Sequence, residues 1–298
     1  MGAPHSIRKH WMSEPFVGRG QNSVHLRRHH ERVVLQTLRR AGELSKADLA
    51  RKTTLTSTSI GTIIQSLESS NLVEYSGRKS EGRGQPAALY RLNPKGTFGI
   101  GVRLDRDSIE TALVDFGGEI LARRVHDRVL PSPAETLELV RSDIDSVLEE
   151  LRPEQRTSLT GIGVALPFHL GAWLDRLALK HEFHAWDDVD FAFELGQATG
   201  HSVFGENDGN AATIAELFYG CGREFDDFLY LFLGPVIGCG IAIDGDCLRG
   251  ITGNAGDIAI MPVPPSQLAS VPRPQGTWDI LLSRASLNAL ARHLRYCG

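Results

Sequence analysis

At 298 residues and 41% hydrophobic side chains, the chain is long enough for two domains with real cores. It carries 32 lysines and arginines against 36 aspartates and glutamates, a net charge of −4, which argues against a broad cationic surface for membranes. No run of roughly 18 apolar residues exists, and Cys221, Cys239, Cys247 and Cys297 form no CxxC pair, so neither a transmembrane helix nor a disulfide framework is expected.

Residues 1–25 begin without the apolar stretch of a signal peptide and read as a flexible arm, which with the scattered thiols points to the cytoplasm. The segment from His30 sets Val33, Val34, Leu35 and Leu38 at helical spacing and stops at Ala41-Gly42. Ser45 followed by Asp48 predicts a capping pair that opens a short helix. A third helix is expected from about Thr56 to Ser69, with Ile60, Ile63, Ile64 and Leu67 inward and Ser57, Thr58, Thr62 and Gln65 outward. Val73-Glu-Tyr, the basic glycine-rich stretch Gly77 to Pro86, and Ala87 to Leu92 predict a strand, a loop and a return strand. Three short helices and a basic hairpin make a winged helix-turn-helix over residues 26–95. The outward hydroxyls and amide suit base edges in a major groove; Arg78, Lys79, Arg83 and Gln85 on the wing suit phosphates or a minor groove. A small helical hairpin with a solvated charged loop shares the same pattern. Charge favours the first reading: residues 1–95 hold 16 basic and 7 acidic side chains, +9, whereas residues 96–298 hold 16 and 29, −13.

The body, residues 96–298, turns to extended patterning. Phe98–Leu104, Ile109–Asp115 and Ile120–Val125 are expected as consecutive antiparallel strands. An amphipathic helix from Ser132-Pro133 follows, then a glycine-punctuated buried strand, Leu159–Pro167. That β-β-β-α-β order suits a ribonuclease H-like, actin-like ATPase-type α/β domain; a generic α/β sandwich is the alternative. At Gly205–Glu216 a strand breaks into a helix with Asn207 and Asp208 at the joint. A carboxamide and a carboxylate there can clamp neighbouring hydroxyls of a polyol, and the aspartate can act as a general base; helix capping alone explains the same residue. Leu231–Gly245 reads as two strands about a glycine turn, Gly250–Asp257 as a loop, and Asp279–Tyr296 as a helix. Such glycine loops either admit a phosphate to backbone amides or are simply tight turns.

From about Gly20 to its end the chain resembles the ROK family of repressors, open reading frames and sugar kinases. Arg83-Gly-Gln-Pro-Ala is similar to the family's Arg-Gly-Arg-Pro wing tip, with Gln85 replacing the second arginine, and Glu206-Asn-Asp-Gly-Asn-Ala-Ala is similar to its sugar-site signature. The resemblance implies that Asn207 and Asp208 contact sugar hydroxyls, and that Asp208 stands at the position of the kinase base. Family kinases hold ATP with Asp-x-Gly-Gly-Thr, where this chain has Asp105-Arg106-Asp107, expected to turn two carboxylates toward the phosphates. Their second loop, Gly-Thr-Gly-x-Gly, is replaced by Gly234-Pro-Val-Ile-Gly238. Ile260 stands where the family's zinc histidine would be, and no cysteine follows at zinc spacing, so no metal or cofactor is expected. Asp257, in place of a family glutamate, remains a candidate sugar contact. The chain is also short at its C-terminus for this family.

These features imply a non-enzymatic transcription regulator, most simply a repressor. It is expected to bind a double-stranded DNA operator as a homodimer or larger homo-oligomer, gated by a sugar or sugar derivative, without membrane contact. The rival expectations are a sugar kinase with an added DNA-binding domain and a DNA-binding protein blind to any effector.

Overall fold

The protein is described by a computed structural model covering residues 22–79, 87–168, 170, 183–234, 236–271 and 278–297. Helix α1 (Asn22–Ala41) buries Val34 and Leu38 and ends at Gly42, whose φ of +80° turns the chain while its N–H returns to the Leu38 carbonyl at 2.8 Å. The helix begins earlier than the sequence suggests: residues 22–25, expected in an arm, are helical. Strand β1 (Glu43–Ser45) leads into α2 (Lys46–Thr53). The Ser45 hydroxyl accepts from the Asp48 N–H at 3.1 Å and the Asp48 carboxylate accepts from the Ser45 N–H at 3.4 Å, closing the expected capping box. Helix α3 (Ser57–Ser69) is capped by Thr56, whose hydroxyl accepts from the Ser59 N–H at 3.1 Å. Its apolar stripe, Ile60, Ile63, Ile64 and Leu67, packs with Val34, Leu38 and Leu49 in one core, as the spacing predicts.

Strands β2 (Val73–Lys79) and β3 (Ala87–Leu92) pair antiparallel, and β1 joins the far side of β3, giving the order β1-β3-β2. The β1 strand was not foreseen, since three residues are too few to show alternation. Arg83 and Gln85, expected on the wing, lie outside the described residues.

The body opens with β4 (Phe98–Leu104), β5 (Ile109–Asp115) and β6 (Ile120–His126), a meander of antiparallel neighbours. Helix α4 (Pro133–Leu148) starts at a second capping box, between Ser132 and Glu135, and a short turn, α5 (Pro153–Arg156), precedes β7 (Leu159–Leu166). β7 runs parallel to β4, and β8 (Val203–Asn207) parallel to β7, completing the order β6-β5-β4-β7-β8. Ile100, Val102, Leu113, Ile162 and Val164 of the sheet, Val140, Ile144 and Val147 of α4, and Phe191 and Leu195 of α6 (Phe191–Thr199) form the main core.

Beyond β8, helix α7 (Asp208–Tyr219) packs against a second sheet, β11-β10-β9, built from β9 (Phe228–Leu233), β10 (Ile237–Ile243) and β11 (Asp246–Cys247). Leu217 meets Ala242 and Cys247 there, while Leu229, Leu231 and Leu233 are exposed on β9. The last elements are the pair β12 (Pro262–Val263) and β13 (Asp279–Ile280), α8 (Leu282–Ala285) and α9 (Leu287–Cys297). The continuous helix expected over 279–296 is therefore interrupted. Ser286 is extended (φ −87°, ψ 159°), its hydroxyl accepts from the Ala289 N–H at 3.2 Å, and it starts a new helix as an N-cap would.

Replacing Ile64 by Ala removes three side-chain carbons from the centre of the α1–α2–α3 core. A loss of about 2–5 kcal/mol of unfolding free energy is expected in urea titrations, and a loss under about 0.5 kcal/mol, the size of an ordinary surface substitution, would show that the stripe is not a core.

Candidate functional site

The joint between β8 and α7 is fixed by Asn207. Its side-chain oxygen accepts from the N–H groups of Gly209 and Asn210 at 3.0 and 3.2 Å, satisfying donors that a helix start otherwise leaves bare. Its amide nitrogen donates to Asp208 Oδ1 at 3.0 Å, and the same oxygen accepts from the Gly209 N–H at 2.9 Å. Asn207 is thus largely consumed by capping, which leaves Asp208 Oδ2 as the acceptor at the joint with no protein partner among the described residues. Burial pushes the Asp208 carboxyl above its ordinary value; Asp105 adds to the rise, while the Gly209 N–H and Arg106 oppose it.

A cavity of about 200 Å³ opens over this joint. The three candidate sugar contacts, Asn207, Asp208 and Asp257, all line it, together with Asp105, Arg106 and Asn254. Phe168 and Phe232 supply apolar wall. Around it, Asn210 donates to the Gly253 carbonyl at 2.8 Å and to Glu206 Oε1 at 3.0 Å, and Arg249 pairs with Glu206 Oε2 at 2.6 Å, tying the 249–257 loop to α7. Gly256 lies so close to β10 that a Cβ would overlap the Cys239 carbonyl. Among the described residues, no group of three or more His, Cys, Asp or Glu side chains could hold a metal ion.

The first turn of the body differs from its sequence reading. Two carboxylates were expected to face the cavity; only Asp105 does, and Asp107 is exposed outside it. The turn is closed by the Asp105 N–H bonding the Ser108 carbonyl at 2.9 Å, and it sends Arg106 inward instead. Arg106 is 8% exposed and donates to the Leu170 carbonyl at 3.1 Å, while its Nε has no hydrogen-bond partner among the described residues. Burial lowers the affinity of this guanidinium for its proton, and the charges of Asp105, Asp208 and Asp107 offset only part of that. A side chain in a tight turn has no periodicity to betray its direction, so sequence spacing could not find Arg106. Of the second glycine turn, Val236, Ile237 and Gly238 line the cavity, and Pro235 lies outside the described residues.

The candidate DNA contacts form a separate surface. Ser57, Thr58, Thr62 and Gln65 are all exposed along one side of α3, opposite its buried stripe. The Thr62 hydroxyl returns to the Thr58 carbonyl at 3.2 Å. Arg78 is exposed near the end of β2; Lys79 closes that strand, and its side chain is outside the described set. Helix α3 is braced by α1, where Arg27 donates to the Ser66 hydroxyl at 2.9 Å and that hydroxyl donates to Glu31 at 3.1 Å.

Comparison with known proteins bears on the body and on the chain as a whole. The sequence model of the ROK family matches residues 99–295. The xylose repressor of Bacillus subtilis (strain 168) is 22% identical over 257 residues, 86% of this chain and 66% of the repressor. The glucokinase of Thermotoga maritima is 29% identical over 197 residues, 66% of this chain and 59% of the kinase. The chain therefore spans about two thirds or less of the length of these curated relatives. Among solved structures, a ROK family transcriptional regulator described as a homolog of the E. coli MLC protein superimposes with a TM-score of 0.64 at 22% identity, covering 92% of this chain and 68% of the other.

The raised Asp208 carboxyl carries a sign that can be checked. The folded state holds this proton more tightly than the unfolded chain, so Asp208 contributes least to stability at neutral pH, and its contribution rises as pH falls through the folded value toward 3.8. Asp208→Asn is expected to raise the melting temperature at about pH 7, by a margin that shrinks toward about pH 4. A difference constant across that range would show that Asp208 titrates normally.

Proposed function

Because the chain belongs to the ROK family, we propose that it is a sequence-specific DNA-binding transcription regulator, a repressor, whose body responds to a sugar or sugar derivative and does not transfer phosphate. The observation that carries this reading is α3: a helix with four buried aliphatic residues on one side and Ser57, Thr58, Thr62 and Gln65 exposed on the other. Hydroxyls and amides in that arrangement can exchange hydrogen bonds with base edges when a helix lies in a major groove. Residues 26–95 serve as a winged helix-turn-helix, with Arg78, Lys79, Arg83 and Gln85 on the wing as contacts to the sugar–phosphate backbone. Residues 96–298 serve as the effector and assembly domain, and a homodimer would match a two-fold operator in the cytoplasm. A relative that is a xylose repressor and a similar fold in a transcriptional regulator support the reading.

The sugar would sit in the cavity at the head of α7. Asp208 Oδ2, the remaining amide hydrogen of Asn207, and Asp257 at the rim offer acceptors and a donor for adjacent hydroxyls. Kinase activity is disfavoured by the same cavity. Phosphoryl transfer needs preorganised donors and a metal around the phosphates. Asp105 and an arginine shared among carboxylates occupy the first turn, and Val236 and Ile237 occupy the second.

Binding is measured on a duplex selected from a random pool by the whole chain. Thr58→Ala and Gln65→Ala are expected to relax base discrimination, each by about 1–3 kcal/mol at one position. Arg78→Ala is expected to weaken binding alike across sequences and to reduce the salt slope by about one. If residues 96–298 alone bound the selected duplex as tightly as the whole chain, the DNA-reading role of α3 would be lost. In a coupled assay with D-glucose, D-xylose and ATP, no sugar phosphate should form; turnover that disappears in Asp208→Asn would restore the kinase reading.

A further inference from the structure

The DNA-reading segment and the body meet at a charged and aromatic joint that sequence spacing left unremarked. Arg39, in the last turn of α1, lies over three rings at once: its Cζ is 5.0 Å from the centroid of Phe116, 5.3 Å from Phe218 and 5.1 Å from Tyr219. Its Nη1 also donates to the Tyr219 hydroxyl at 2.8 Å. Phe218 and Tyr219 are the last two residues of α7, and Phe116 begins the turn between β5 and β6. In that turn Gly118 has φ +95° and lies against the Tyr219 ring, where any Cβ would overlap it. Neighbouring contacts run the same way. Arg40 pairs with Asp226, Arg223 donates to the Arg40 carbonyl at 3.4 Å, and Arg32 approaches Asp246 at 3.9 Å.

Helix α7 therefore has its two ends in two different places. Its first residue, Asp208, lines the cavity, and its last two hold Arg39 of α1. Twelve residues at 1.5 Å rise make a rod of about 18 Å. Its middle is packed tightly: the Thr213 hydroxyl bonds back to the Gly209 carbonyl at 2.8 Å, and Gly240 of β10 lies so close that a Cβ would overlap Thr213. Were α7 to shift, packing this close along its middle would favour movement as one body, carrying a displacement at its head to its tail.

We propose that α7 transmits the state of the cavity to the DNA-reading segment, and that Arg39, clamped by Phe116, Phe218 and Tyr219, is the residue that receives it. This rests on the regulator reading above and adds the route of its regulation. An arginine suits the role, since its planar cation stacks on rings while its N–H groups keep their direction; a lysine at the same position would keep the charge and lose the plane. Coupling of this kind typically changes affinity at the distant site by roughly 5- to 150-fold. Proximity of two sites does not itself establish coupling, so the test is a double-mutant cycle.

Hydrogen exchange of the whole chain, without DNA or sugar, is compared for the wild type, Asp208→Ala, Arg39→Gln and the double variant. Asp208→Ala is expected to change exchange at the cavity loop 249–257, in the last turn of α7 and in the last turn of α1. In the Arg39→Gln background the α1 change should vanish while the cavity change persists. Tyr219→Phe, which removes one hydroxyl and keeps the ring, should give a smaller effect of the same kind and covers the case in which Arg39→Gln fails to fold. An Asp208→Ala variant that alters the cavity loop but leaves 36–41 untouched would overturn the proposal. So would an α1 response that is the same with or without Arg39. Since no DNA is present, these outcomes stand apart from the regulator reading, which instead fails if the wild-type chain binds no duplex.

Discussion

One side chain organises the body: the carboxamide oxygen of Asn207, which accepts from the N–H groups of Gly209 and Asn210. It ends β8 and starts α7 at a single residue, and so decides where the helix points. With that helix come the cavity at its head, the loop that Asn210 and Glu206 hold beside it, and the aromatic pair at its tail. A helix start also presents bare N–H groups, and Asp208 Oδ1 accepts one of them. The same position is desolvated, which raises the carboxyl. Capping and cavity lining meet in one residue, since Asp208 Oδ1 accepts from the Gly209 N–H while Asp208 also lines the cavity.

Carboxylates outnumber cations in the cavity. Asp105, Asp208 and Asp257 line it with a single guanidinium, Arg106, among the lining residues. A kinase cavity needs room and positive charge for a polyphosphate; here an arginine from the chain lies among the carboxylates instead. That arrangement favours a small, hydroxyl-rich ligand over a highly charged one.

Much of this was legible in the sequence because it is periodic or locally capped. The α3 stripe repeats at helical spacing, Ser45–Asp48 and Ser132-Pro133 announce their helices, and β4 to β7 read as apolar runs with punctuating turns. Asn207 and Asp208 were found because a strand breaks into a helix between a carboxamide and a carboxylate. What escaped depends on contacts remote in sequence. β1 exists only because β3 pairs with it, and three residues carry no pattern. Arg106 turns inward through the closure of a four-residue turn, where Asp107 was expected beside Asp105. The helix expected over 279–296 breaks at Ser286, where the Leu287 N–H bonds to the Gly234 carbonyl more than fifty residues away in the chain. Arg39, on the partly exposed side of an amphipathic helix, reads as solvated until its three rings are seen.

The most direct measurement is the binding of the whole chain to duplex DNA by fluorescence anisotropy, with a selected and a scrambled duplex, between about 50 and 200 mM salt. A regulator that reads DNA through α3 and a basic wing predicts preference for the selected duplex and affinity that falls log-linearly with salt, by about 0.9 in slope for each phosphate neutralised. Equal binding to both duplexes, or no binding at the lowest salt, would contradict it.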